Sequence, residues 1–98
     1  MDDVGKRLAW MRETTGLPSR EIDRLAGLTE NHSRAIELNI GNRAQLATIE
    51  RIATALEVPA AWLAFGEGDA PSTEQLAGFG ARVRETRASA RAARRAAA

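Results

Sequence analysis

Gly16-Leu17-Pro18-Ser19-Arg20-Glu21-Ile22-Asp23-Arg24-Leu25-Ala26-Gly27-Leu28-Thr29 is the stretch on which the reading of this 98-residue chain turns. Gly16-Leu17-Pro18 is a turn signal, and Pro18 suits the first turn of a helix, where its missing N–H leaves no bond unmade. Ile22, Leu25 and Ala26 give that helix a short apolar face, and Gly27 ends it. Thr29 is a good N-cap for a further helix running to about Leu38, with Ile36 as its clearest core residue. Asn39 follows, a residue type that readily takes the left-handed conformation closing a helix. A glycine between two short helices allows a tight turn with a positive backbone angle, setting the second helix steeply across the first. Ile22, Ala26, Leu28 and Ile36 would hold the pair together and leave the outer, N-terminal side of the second helix uncovered.

Working outward, Val4, Leu8, Met11 and Thr15 form the stripe of an amphipathic helix that ends near Gly16. On the other side, the loop Ile40-Gly41-Asn42-Arg43-Ala44 leads into a strong helical pattern of Leu46, Ile49, Ile52, Ala53 and Leu56. Val58-Pro59 breaks it, and Pro59 can start a fifth helix carrying Trp62, Leu63 and Phe65. Trp62 is expected to anchor the core and Trp10 to be partly exposed. Gly66-Glu67-Gly68-Asp69-Ala70-Pro71 reads as an exit. No segment alternates with the period of a strand. The expectation is an all-α fold: a five-helix domain over residues 1–70, then an extension over 71–98 that is a helix or partly disordered.

The composition excludes several classes. Hydrophobic residues make up 44%, enough for a small core. No apolar run approaches the roughly 20 residues that cross a bilayer, and Met1-Asp2-Asp3-Val4-Gly5-Lys6-Arg7 does not read as a signal peptide. The absence of cysteine rules out disulfides, thiolate zinc sites and cysteine nucleophiles, and suits a cytoplasmic protein. His32 is the only histidine and has no second ligand at useful spacing, so neither metal nor cofactor is expected. Nothing resembles a catalytic set, so the chain does not read as an enzyme. The net charge of +1 is unevenly spread: residues 1–71 sum to −3 and residues 72–98 to +4.

The quoted stretch is similar to the helix-turn-helix of the XRE, or lambda-repressor/Cro, family. The resemblance continues through Ile36-Glu37, through Leu46, Ile49, Ile52-Ala53, Leu56 and Val58, and into Trp62-Leu63 and Gly66, covering residues 4 to 68. It implies a lambda-repressor-like DNA-binding domain acting as a transcriptional regulator, of repressor type, on double-stranded DNA, usually as a homodimer. It also implies a partly buried, bidentate pair between Arg12 of the first helix and Glu37 at the end of the third, with Arg12 turned towards a phosphate. Ser19 and Arg20 then fall where relatives touch the DNA backbone. Glu30, Asn31, His32, Arg34 and Ala35 fall where relatives face base edges or flanking phosphates. Asn31 could pair with adenine, Arg34 with guanine or phosphate, and Glu30 with a cytosine amino group. Asn42 and Arg43, before the fourth helix, are candidate phosphate contacts.

Four residues depart from that pattern: Ser19 replaces a frequent glutamine, Asn39 benignly replaces a frequent glycine, and two further departures fall at core positions. Asp23 stands where the family has a small residue, and Ser33 where it has an apolar one; a buried carboxylate without partners is costly. Either Asp23 caps or pairs locally with Ser33 or His32 across the turn, or the angle between the two helices is altered. The two core departures, the acidic first 71 residues and Glu30 motivate a second reading. In it the chain is a protein-interaction module, antitoxin-like or adaptor, whose reading face has drifted.

In the extension, Ser72-Thr73-Glu74-Gln75 is a capping-box pattern, with Gly78 and Gly80 weakening the helix it would start. Phe79-Gly80-Ala81-Arg82-Val83 with Arg87 repeats Val4-Gly5-Lys6-Arg7-Leu8 with Arg12 at a constant offset, like the first helix of a second domain of the same type. The basic extension could track phosphates, dock a protein partner or remain a solvated end. It lacks the large apolar face that membrane binding requires.

Overall fold

The computed structural model describes residues 3–39 and 45–97. Among them the chain is all-helical, with α1 (Val4–Thr15), α2 (Ser19–Ala26), α3 (His32–Glu37), α4 (Leu46–Ala55), α5 (Ala60–Phe65) and α6 (Thr73–Ala97). None of these helices is long and apolar enough to cross a membrane. The stripes read from periodicity meet in one core: Leu8, Met11, Ile22, Ile36, Ile49, Ile52 and Leu63 are each at most 3% exposed. Trp62 is buried with them, and half-buried Trp10 meets it edge-on with ring centroids 5.9 Å apart. Such a pair adds about 0.5–1.5 kcal/mol beyond the area it buries. Leu46 and Phe65, by contrast, lie exposed at the start of α4 and the end of α5.

Thr29 does not cap α3. The helix begins at His32, and Asn31, with φ 69°, makes the turn into it. Thr29 only accepts a turn hydrogen bond from the His32 N–H, at 3.3 Å. The expected left-handed residues at Gly27 and Asn39 are both present, with φ 69° and 56°.

The extension is a helix of 25 residues. Ser72 caps it as expected, its Oγ accepting the Gln75 N–H at 3.0 Å. The reciprocal half of the capping box is replaced by a longer-range bond, because Gln75 Nε2 donates to the Glu57 carbonyl at 3.3 Å. Leu76 and Phe79 of α6 join the core formed by α1–α5, so the segments on either side of residue 70 are packed as one body.

Gly80, which local propensity marks as a weak point, is where α6 crosses the end of α1. A Cβ there would stand 1.9 Å from the Thr15 carbonyl oxygen. One turn later Arg84 Nη1 donates to that same oxygen at 2.9 Å. The repeated glycine, Gly5, makes the equivalent approach from α1 to α3, where a Cβ would meet the Ile36 carbonyl oxygen at 2.8 Å. Arginines finish other helix ends too. Buried Arg7 donates from Nε to the Leu63 carbonyl at 2.8 Å and from Nη2 to that of Ala64 at 3.1 Å. Arg51 donates to the Gly27 carbonyl at 2.9 Å. The last carbonyls of a helix have no partner within it and carry its negative dipole end, so a guanidinium satisfies them twice over.

Substituting Gly80 by alanine should therefore destabilise the protein by about 2 kcal/mol or more, through enforced separation of α6 from α1. Gly78→Ala is the matched control, since a Cβ there meets nothing closer than Arg82 Nη1 at 4.0 Å. It should be neutral or stabilise by up to about 1 kcal/mol. Thermal or urea melts of the two variants provide the comparison, and equal effects would refute the close-approach role of Gly80.

Candidate functional site

The α2–turn–α3 unit is tied together by the two core residues that broke the expected pattern. Asp23 is 2% exposed and Ser33 0%. Asp23 Oδ1 accepts the Ser33 backbone N–H at 2.8 Å, and Ser33 Oγ donates to the Ser19 carbonyl at 3.2 Å. Asp23 thus caps α3 from the neighbouring helix: the carboxylate takes one of the N–H groups that a helix start leaves unpaired. Its second oxygen, Oδ2, is buried with no partner among the described residues.

The far end of α3 is held through Glu37, whose side chain is only 3% exposed. Arg12 Nε lies 3.1 and 2.9 Å from its two carboxylate oxygens, and Arg34 Nη1 donates to Oε1 at 2.8 Å. The Arg12–Glu37 pair is present as expected, although a single nitrogen spans both oxygens in place of a two-nitrogen fork. The hydrogen bond to Glu37 raises the Arg12 pKa above its ordinary value against the opposing effect of burial. Arg34, one of the expected reading residues, is itself folded back onto Glu37.

With both ends pinned and Ile36 in the core, α3 turns its remaining residues outward. Glu30, Asn31 and Arg34 are exposed, and His32 and Ala35 are half-buried. Asn31 makes no side-chain cap bond, so its amide is not committed to its own helix. Ser19, half-buried, and Arg20, exposed, open α2. Arg20 and Glu30 line one groove, together with Glu21, Asp23, Arg24, Leu28 and Arg87. Asn42 and Arg43 lie outside the described residues.

Sequence reading missed the cluster within that groove. Glu21 is 3% exposed and accepts from Arg24 Nη2 at 2.6 Å and from Arg87 Nη1 of α6 at 2.9 Å. The Arg24 hydrogen bond holds the Glu21 carboxyl below the usual carboxylate range. Burial works against it, and the charges of Arg24, Arg87 and Arg20 add to it. The same bond to Glu21 raises the Arg24 pKa. The internal repeat was the available signal: in each copy a close-approach glycine precedes by two helical turns an arginine that meets a buried glutamate.

The chain matches no protein-family model, no curated protein and no solved structure.

Two outcomes follow from this geometry. Asp23→Ala leaves the buried Ser33 N–H without its acceptor and should cost about 1–3 kcal/mol in a denaturant melt. A wild-type-like melt would show that the cap is dispensable. For Glu21 the folded-state pKa is depressed, so its stabilising contribution is complete above about pH 4.5 and is lost as pH falls through the lower folded value. Melts taken from pH 6 down to pH 2 should therefore show wild type losing more stability than Glu21→Gln. Parallel curves would count against the cluster.

Proposed function

We propose that this chain is a sequence-specific transcriptional regulator of the XRE type, using α2 and α3 as a helix-turn-helix and α3 as the element that enters the major groove of double-stranded DNA. The observation that carries the reading is the fixing of α3 at both ends. Asp23 holds its start and Arg12 its finish, while Glu30 and Asn31 remain exposed, Arg34 is exposed but paired with Glu37, and His32 and Ala35 are half-buried. A reading head works only if its side chains are held in one register, and ties to rigid neighbouring helices provide this. The order of the first five helices, the left-handed turn at Gly27 and the Arg12–Glu37 pair also agree with what the resemblance implies. Under this reading Ser19 and Arg20 position the backbone, Asn31 and Arg34 read bases, and the protein works in the cytoplasm as a homodimer repressor. Two copies would then sit on half-sites about 34 Å apart.

A second reading, a protein-interaction module on the same scaffold, is favoured by one feature. Glu30 stands exposed on the outward face of a segment whose net charge is −3, which repels phosphate.

Titration against duplex libraries at several salt concentrations separates the two. A regulator selects a sequence, and its affinity falls steeply as salt rises. Asn31→Ala and Arg34→Ala should each relax preference at one or two base positions, by about 1–3 kcal/mol. Absence of any selected sequence would overturn the DNA-reading proposal in favour of the interaction module.

A further inference from the structure

We propose that the outer half of α6 is a sequence-independent phosphate-binding arm that follows the DNA backbone beside the site read by α3; it rests on the DNA-binding reading above. The packing role of α6 ends early. Leu76, Phe79 and Gly80 are its buried residues, and every residue from Arg84 to Ala97 is exposed. Burial therefore gives no reason for the last ten or so residues to be helical. Alanine does: Ala88, Ala90, Ala92, Ala93, Ala96 and Ala97 make this a segment of high intrinsic helix propensity.

What the arm displays is positive charge in register. Arg84, Arg87, Arg91 and Arg94 recur at spacings of three and four, which places them on one face. Arg84 is engaged by the Thr15 carbonyl and Arg87 by Glu21. Arg91, Arg94 and Arg95 have no acidic partner among the described residues, and Glu85 is the only acid in the exposed half. Arg87, Arg91 and Arg94 line a groove with Arg24 of α2, Thr86 and Ala90. That groove has Arg24 and Arg87 in common with the one that reaches Arg20 and Glu30 at the front of α3. The two grooves meet at Arg24 and Arg87; the inner one also holds Glu21, Asp23 and Glu30, and the outer one is lined by four guanidinium groups and no carboxylate. Glu21 already lies between Arg24 and Arg87, whereas Arg91 and Arg94 beyond them repel one another until an anion lies between them.

The length of the outer groove selects the anion. From Arg87 to Arg94 the helix rises about 10 Å, longer than a single phosphate group. A polyanion of regular spacing matches this better than a single small ion. A lipid surface fits poorly, because alanine methyl groups are the only apolar surface the arm offers. The arm also answers the charge problem of the body: it supplies the attraction that a net charge of −3 over residues 1–71 cannot.

The test compares wild type with the full-length triple variant Arg91→Gln, Arg94→Gln, Arg95→Gln, in which every altered side chain is exposed. Circular dichroism melts confirm that both fold alike. Each is titrated from 0.05 to 0.3 M salt against a random-sequence fluorescent duplex, against the library-selected duplex, and against vesicles of phosphatidylserine and phosphatidylcholine. Expected is a loss of duplex affinity of roughly 100-fold at 0.1 M salt, equal for both duplexes. The log–log salt slope should be shallower by about 2–3, and the selected-to-random ratio unchanged. Unchanged affinity and slope would overturn the proposal. So would a loss confined to the selected duplex, or wild-type binding to vesicles with none to random duplex. Failure of the reading face shows separately, as wild type selecting no sequence while the random-duplex comparison still reports on the arm.

Discussion

The hydrogen bond from the Ser33 N–H to the buried Asp23 carboxylate is the constraint on which α3, and with it the outward face of the protein, depends. A helix of six residues does not sustain itself in water, because the cost of its first turn is not recovered by so few backbone bonds. Its stability must come from neighbours. Asp23 supplies the start, Ile36 the buried middle and Glu37 the end, where Arg12 and Arg34 converge on one carboxylate. Asn31 bends the chain into place at φ 69°, a conformation asparagine tolerates better than most residues. Removing the carboxylate from this arrangement would leave the geometry of the turn without its internal tie.

Charge in this protein is largely structural. Asp23, Glu21 and Glu37 are buried or nearly so, and each accepts hydrogen bonds that join separate helices. Arg7, Arg51 and Arg84 each close a helix at its carbonyl end. A count of charges along the chain therefore misjudges the surface, since the side chains of Glu21, Asp23 and Glu37 are sheltered and Arg7 is buried. The groups left outward are unevenly placed. Bases collect on α2 and the outer α6, whereas Glu30 interrupts them at the front of α3.

The helices and their inward faces were legible because Leu8 and Met11, or Ile49 and Ile52, recur with the period of a helix whatever surrounds them. What escaped is tertiary in origin. Thr29 looked like the cap of α3 because capping patterns are local, whereas the real acceptor comes from Asp23 on another helix, ten positions from the N–H it takes. Ser33 and Asp23 each depart from the family pattern, and of the two reconciliations open to the sequence the local pairing of Asp23 with Ser33 is the one present. Glycine's backbone entropy is readable from sequence, so Gly80 was counted as a weakness. The 1.9 Å to Thr15 that forbids any side chain there is not readable. The Glu21–Arg87 contact joins residues 66 apart, beyond the reach of any local pattern.

The repeat of α1 in α6 ties these points together. Gly5 lets α1 press against the end of α3, and Arg12, two turns on, meets Glu37. Gly80 lets α6 press against the end of α1, and Arg87, two turns on, meets Glu21. The same device is used twice: a missing side chain brings two backbones together, and a guanidinium reaching a sheltered carboxylate fixes the rotation of one helix about the other. In α6 the device braces the body it joins, and does so through α2, the helix that positions α3.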